Sequence, residues 1–249
     1  MAKSTPFGTT LTHDAISGVT AIRSFEITDH TGALIDISNM SSTQTTQDLV
    51  PLSMMRPGRV NVSWLFGTPG EAFGSTVAHA ALTTPIRSYS YTGREGNVID
   101  LSDMESADNL AELAAGGPAP LGKLSIDFLV EDAQAVPATT MEAATLTLTI
   151  ADETALTAYA ILESWGITGE YQGEGKMGSA TFGLTSAFLQ GATEPFILYT
   201  AGDIMLTMPG INAWTAAAFL TGWGVSGEYK GEKLASASFQ CTELWVAAE

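Results

Sequence analysis

The stretch WGITGEYQGE, Trp165 to Glu174, returns 58 residues later as WGVSGEYKGE, Trp223 to Glu232. A repeated decapeptide signals internal duplication, which bears on the architecture before any single residue does. Around each copy, apolar and polar residues alternate. Ile161, Trp165, Ile167 and Tyr171 share one parity, as do Phe219, Trp223, Val225 and Tyr229, while Ser164, Thr168, Glu170 and Ser226, Glu228, Lys230 hold the other. Successive side chains of a strand point to opposite faces, so a period of two predicts a half-buried β-strand. Glycine turns follow at 172–175 and 230–233, then second alternating strands carrying Ala180, Phe182, Leu184 and Ala237, Phe239, Cys241. Each copy reads as a β-hairpin with one apolar face.

A second duplication lies upstream. IRSFEITDHTGALIDISNMSS, from Ile22, aligns without gaps with IRSYSYTGREGNVIDLSDMES, from Ile86, at a shift of 64 residues. The same shift carries GRVNVSWL, from Gly58, onto GKLSIDFL, from Gly122, so that Val60, Val62 and Trp64 match Leu124, Ile126 and Phe128. Trp64, Phe128, Trp165 and Trp223 are the expected core anchors. The resulting map is an N-terminal arm over 1–19, then a β region over 20–249 in which 22–65 repeats as 86–129 and 145–185 repeats as 203–242. The order A, A′, B, B′ is not that of a simple tandem duplication. It leaves two arrangements open: interleaved modules, or separate A and B sheets. Within the second A unit, Ser106 to Ala115 predicts one short helix, with a capping Ser, early acids and a stop at Gly116-Gly117-Pro118. Residues 67–80 and 131–143 have the composition of loops.

With 45% hydrophobic and 15% charged residues, the 249-residue chain can fill a core and is not of disordered type. Its longest apolar runs are too short to span a bilayer. The opening MAKSTPFGTT shows no signal segment, which predicts synthesis in the cytoplasm without export. The net charge of −17 disfavours a specific nucleic-acid binder, because phosphate contacts come from Lys and Arg. It suits solubility, or a wall that repels polyanions. So many strand edges with so few charges predict pairing between copies of the chain.

Little in the sequence points to catalysis or to a cofactor. His13, His30 and His79 fall in predicted loops or turns without ligand spacing, and read as solvent-facing. The single cysteine, Cys241, sits on an apolar strand parity and reads as a small core residue. The run Gly173-Glu174-Gly175-Lys176 fails as a phosphate loop, since the first Gly of that motif would fall on Glu170. No Ser is flanked as in GxSxG. Arg23 and Arg87 each open a strand before an acid-bearing turn and are expected to pair with carboxylates. Glu170, Glu174, Glu228 and Glu232 recur at the hairpin tips, which suits a repelling rim better than a glycosidase pair.

The unit LTLTIADETALTAYAILESWGITGEYQGEGKMGSATFGLT resembles the C-terminal half of a phage major tail tube subunit, and the A unit resembles the first half of that module. The resemblance spans roughly residues 22–243 and rests on strand pattern more than identity. It implies duplicated β-sandwich or β-barrel modules with one flanking helix, assembling into stacked rings around an acidic lumen that conducts DNA. It implies a virion protein without cofactor. Its partners would be copies of itself, other tail proteins and DNA in transit. Two modules per chain would imply a trimer with pseudo-sixfold symmetry. The competing expectation is a carbohydrate-binding or adhesive module using Trp165, Trp223 and Tyr171 as stacking platforms.

Overall fold

The computed structural model describes residues 8–19, 22–31, 34–36, 49–51, 55–67, 72–102, 111–130, 142–169 and 176–248. The first part of the chain supplies β1 (Thr10–His13), β2 (Ile16–Val19), β3 (Ile22–Thr31), the ribbon strands β4 (Leu34–Asp36) and β5 (Leu49–Pro51), and β6 (Arg56–Leu65). The middle supplies β7 (Thr76–His79), β8 (Leu82–Glu95), the ribbon strands β9 (Val98–Asp100) and β10 (Leu113–Ala115), β11 (Lys123–Leu129), β12 (Ala144–Thr149), β13 (Leu156–Gly169), β14 (Lys176–Leu184) and β15 (Leu189–Gln190). The last part supplies β16 (Ala201–Thr207), β17 (Trp214–Glu228), β18 (Leu234–Cys241) and β19 (Val246–Ala247).

Six strands of the middle part close a barrel in the cyclic order β7–β8–β11–β14–β13–β12. The two ends of the chain come together in the same order, β1–β2/β3–β6–β18–β17–β16, with β2 and β3 standing where β8 is one strand. The module formed by A′ and B is therefore nested inside the module formed by A and B′. This resolves the unusual order of the repeats: A′ and B are chain neighbours, and A waits for B′. The registers of the two copies coincide. Leu162 faces Phe182 and Trp165 faces Ala180, just as Leu220 faces Phe239 and Trp223 faces Ala237.

Each barrel fills from the inward parity of its strands. In β11, Leu124, Ile126 and Phe128 are buried and the residues between them are exposed. Gly58, near the start of β6, and Gly122, just before β11, both have positive φ, a backbone region that favours glycine. At Gly122 a Cβ would also lie 2.6 Å from the Thr92 carbonyl oxygen.

Several sequence expectations are corrected. The N-terminal arm fails from residue 10 onward: β1 and β2 form a hairpin of the split barrel. Its counterpart is β7 with the start of β8, so the stretch 67–80 is a loop only up to β7. The helix fails where the structure describes it. Leu113–Ala115 is a strand paired with Val98–Asp100, and the first copy has the matching ribbon of β4 and β5. Ribbon pairing there overrides the helix propensity of a Leu-Ala-Ala segment. Residues 106–110 lie outside the described residues. The single parity through each Trp strand is broken by a β-bulge, between Leu162 and Ser164 and again between Leu220 and Gly222. An extra residue on one strand turns the following side chains to the other face. Leu162 and Leu220 thus point inward before the bulge, and the Trp residues after it.

The histidines are strand residues. His13 and His79 are buried at matching hairpins. Each takes a backbone N–H at Nδ1, from Ala15 and Ala81, and places Nε2 on a carbonyl, of Ala218 and Ala160. Each packs beside a matching aromatic ring, Phe239 and Phe182. With Nδ1 accepting, the proton sits on Nε2, and the ring ties the hairpin to the B-unit strand. His30 falls within β3.

Candidate functional site

The two barrels meet strand against strand. The second half of β17 pairs antiparallel with β8, placing Val225 opposite Tyr91, Ser226 opposite Ser90 and Glu228 opposite Ser88. Four strands of each barrel thereby join into one sheet of eight, β3–β6–β18–β17–β8–β11–β14–β13. Its inward side chains belong to the two cores. Its outward side chains form rows that cross the strands: Ser226, Ser90, Ser125, Thr181 and Ser164 in one, Glu228, Ser88, Asp127, Ser179 and Gly166 in the next. The split barrel contributes Ser24, Ser63, Ser236 and Gly224, then Glu26, Asn61, Ser238 and Gly222.

This face is rich in hydroxyls because the polar parity of its strands is mostly Ser, Thr, Asn or Gly, with Glu26, Asp127 and Glu228 set among them. Short hydrogen bonds run across it, Ser24 to Ser63 at 2.7 Å, Ser238 to Asn61 at 2.8 Å and Ser88 to Asp127 at 2.7 Å. Cross-strand hydroxyl pairs of this kind stabilise sheets modestly. Where β8 meets β17 the face dips into an open depression of about 520 Å³, lined among others by Ser88, Ser90, Asp127, Ser226, Glu228 and Glu232.

Of the expected rim acids, Glu228 ends a strand on this face, and Glu232, in the following turn, is ion-paired with Arg23. Glu170 and Glu174 lie outside the described residues. Arg87, the counterpart of Arg23, lies 5.3 Å over the ring of Tyr229. Trp64, Phe128 and Trp223 are buried, whereas Trp165 is half-buried at the open end of the sheet. Cys241 is buried, and that burial pushes its thiol up to about 12, against a hydrogen bond with Trp245 that lowers it.

Two buried ions at the junction were not singled out from the sequence. Lys233, only 1% exposed, donates to the Ala151 carbonyl at 2.8 Å and lies 3.4 Å from Glu153, both in the turn between β12 and β13 of the other barrel. Arg94, at the end of β8, pairs with Glu194 at 2.9 Å. A charged residue breaking the Ser/Thr pattern next to a repeat boundary was the available signal for Lys233. No group of three His, Cys, Asp or Glu among the described residues is placed to hold a metal ion.

No family model, curated protein or solved structure matches this chain.

Proposed function

We propose that this protein is the repeating subunit of a tube, of the kind that builds the tail tube of a phage, working by assembly and not by catalysis. The observation that carries this reading is the β17–β8 junction. Two copies of one barrel are joined edge to edge, so that a continuous sheet with a hydroxyl-rich face runs from one to the next.

The register of that sheet suits closure. Ser24 on β3 leads across the strands to Gly224 on β17, but Ser88, its repeat counterpart, lies opposite Glu228, four residues further on. A climb of four residues, about 13 Å, over four strands, about 19 Å, corresponds to a strand tilt of about 35°, within the range of closed barrels. The tilt is the same whatever the number of barrels in the ring. Three chains would supply six barrels.

A lumen lined by neutral hydroxyls and glycines, with the acids Glu26, Asp127 and Glu228 among them, offers DNA few cations to hold it. The chain's net charge of −17 opposes the phosphates, most strongly within a Debye length of about 8–10 Å. Of the aromatic platforms that the glycan-binding alternative needs, Trp223 is turned into the core, Trp165 is half-buried and Tyr171 lies outside the described residues.

Negative-stain microscopy of the purified chain over a concentration series tests the proposal. Rings or hollow filaments are expected. A chain that stays a single particle at every concentration and salt overturns it. In assembled particles, replacing Glu26, Asp127 and Glu228 with Lys is expected to make DNA bind at low salt, and indifference of DNA would remove these residues from the lumen.

A further inference from the structure

The in-chain junction uses one edge of β17 and one edge of β8, and the counterparts of those edges are open. The edge of β13 that pairs with β12 over Leu156–Ala160 has no partner among the described residues beyond that point. The edge of β3 away from β6 is likewise unpaired among them. Both open edges carry the apolar residues that the junction buries. Val225 is 3% exposed and its counterpart Ile167 is 47% exposed; Trp223 is buried and Trp165 is half-buried. Opposite them, Tyr89 and Tyr91 are buried while Phe25 and Ile27 are only partly so.

A glycine shows what the β13 edge awaits. Gly224 lies at the junction, where a Cβ would sit 2.6 Å from the Tyr91 carbonyl oxygen, so the approach of β8 requires glycine there. Gly166 stands at the same repeat position. A Cβ on it would meet only Ser179 Oγ, at 3.7 Å, an ordinary contact. A glycine in the middle of a strand is unfavourable unless something approaches its backbone, and among the described residues nothing comes closer to a Cβ there than Ser179 Oγ.

We infer that a second copy of this chain lays its β3 along the open half of β13, reproducing the β17–β8 junction between chains. Repeat equivalence sets the register: Ile167 opposite Ile27, Thr168 opposite Glu26, Gly169 opposite Phe25. The contact is head-to-tail, one donor edge and one acceptor edge per copy, so it closes a ring when the rotation allows. This rests on the tube reading and names the surface through which it would work.

The test uses full-length chains in which Cys241 is replaced by Ala and one cysteine is introduced. Ile27→Cys protein mixed with Ile167→Cys protein, under copper phenanthroline, is expected to give a disulfide-linked dimer. Phe25→Cys mixed with Ile167→Cys, two residues out of register, is expected to give little. Gly166→Val is expected to keep the monomer's circular dichroism and melting while losing the oligomers that the parent forms at the same concentration. Oligomers that form without the 27–167 link and tolerate Gly166→Val would overturn this contact and leave the tube reading standing. Absence of any oligomer from the parent chain would overturn both.

Discussion

Trp223 and Trp165 occupy the same position in two copies of one barrel, after the same bulge and against the same kind of alanine, yet only Trp223 is sealed. The difference lies outside each barrel. Trp223 packs on Tyr91 at 4.9 Å, across the junction, and on Phe196 at 5.3 Å. Trp165 has the open edge of β13 beside it. A residue's burial here is set by whether a neighbouring module is present, more than by its own strand. The largest expected effect follows. Trp223→Ala should lower the unfolding free energy of the isolated chain by about 3–5 kcal/mol, as large aromatic truncations in cores do. Trp165→Ala should cost clearly less, about 1–2 kcal/mol, because less of its surface leaves water on folding. Urea denaturation of dilute protein measures both, and equal losses would erase the distinction between sealed and open ends.

The lysines at the start of β18 and β14 give the same contrast through charge. Lys233 is buried against the β12–β13 turn of the other barrel, while its repeat counterpart Lys176 is exposed. A buried ammonium with two oxygen partners holds the barrels in one orientation, since any slip would strand the charge in a dry site. Lys233→Gln should therefore destabilise the chain by about 3 kcal/mol, the scale of breaking a buried ion pair. Lys176→Gln should change stability by no more than about 0.5 kcal/mol, as surface substitutions do. If the two melt alike, Lys233 is not a pin between the barrels.

These comparisons also mark what the sequence could say. The B-unit hairpins were legible because their strands are long, alternate strictly on each side of the bulge and repeat a rare decapeptide. The first hairpin was hidden. His13-Asp14-Ala15-Ile16 matches His79-Ala80-Ala81-Leu82 at a shift of 66, whereas the longer repeat from Ile22 runs at 64, so two extra residues at positions 20 and 21 break the alignment. Strands of four residues also give too short a window for periodicity to register. The ribbon at Leu113 reads as a helix because local propensity points that way and pairing with Val98 leaves no mark in the local sequence. Interleaved modules are one of the two arrangements that the repeat order leaves open, and the sequence cannot choose between them, because pairing of A with B′ is a property of contacts between the chain ends. The polar face was visible as the Ser and Thr that dominate the solvent parity of the strands. That this parity forms one surface across two barrels depends on the β17–β8 register, which no local pattern encodes.

The smallest expected effect concerns the buried histidine of the split barrel. Burial lowers the His13 pKa from its ordinary 6.5, outweighing the Ala218 carbonyl and the nearby Asp14 and Asp203, which all favour the charged ring. Its Nδ1 accepts from Ala15, so protonation would also remove that bond. The folded-state value thus lies below the unfolded one, and between the two the unfolded chain binds more protons. Stability from this group is complete above about pH 6.5 and is lost as pH falls through the folded value. Gln at position 13 keeps a donor and an acceptor but does not titrate. The unfolding free energy of the parent chain, measured from pH 8 to pH 5, should fall more steeply at the acid end than that of His13→Gln. The carboxylates are common to both proteins, so the difference between the two curves isolates the ring. Parallel curves would mean that His13 binds protons equally in the folded and unfolded chain, and that its place beside Phe239 shields it less than its burial implies.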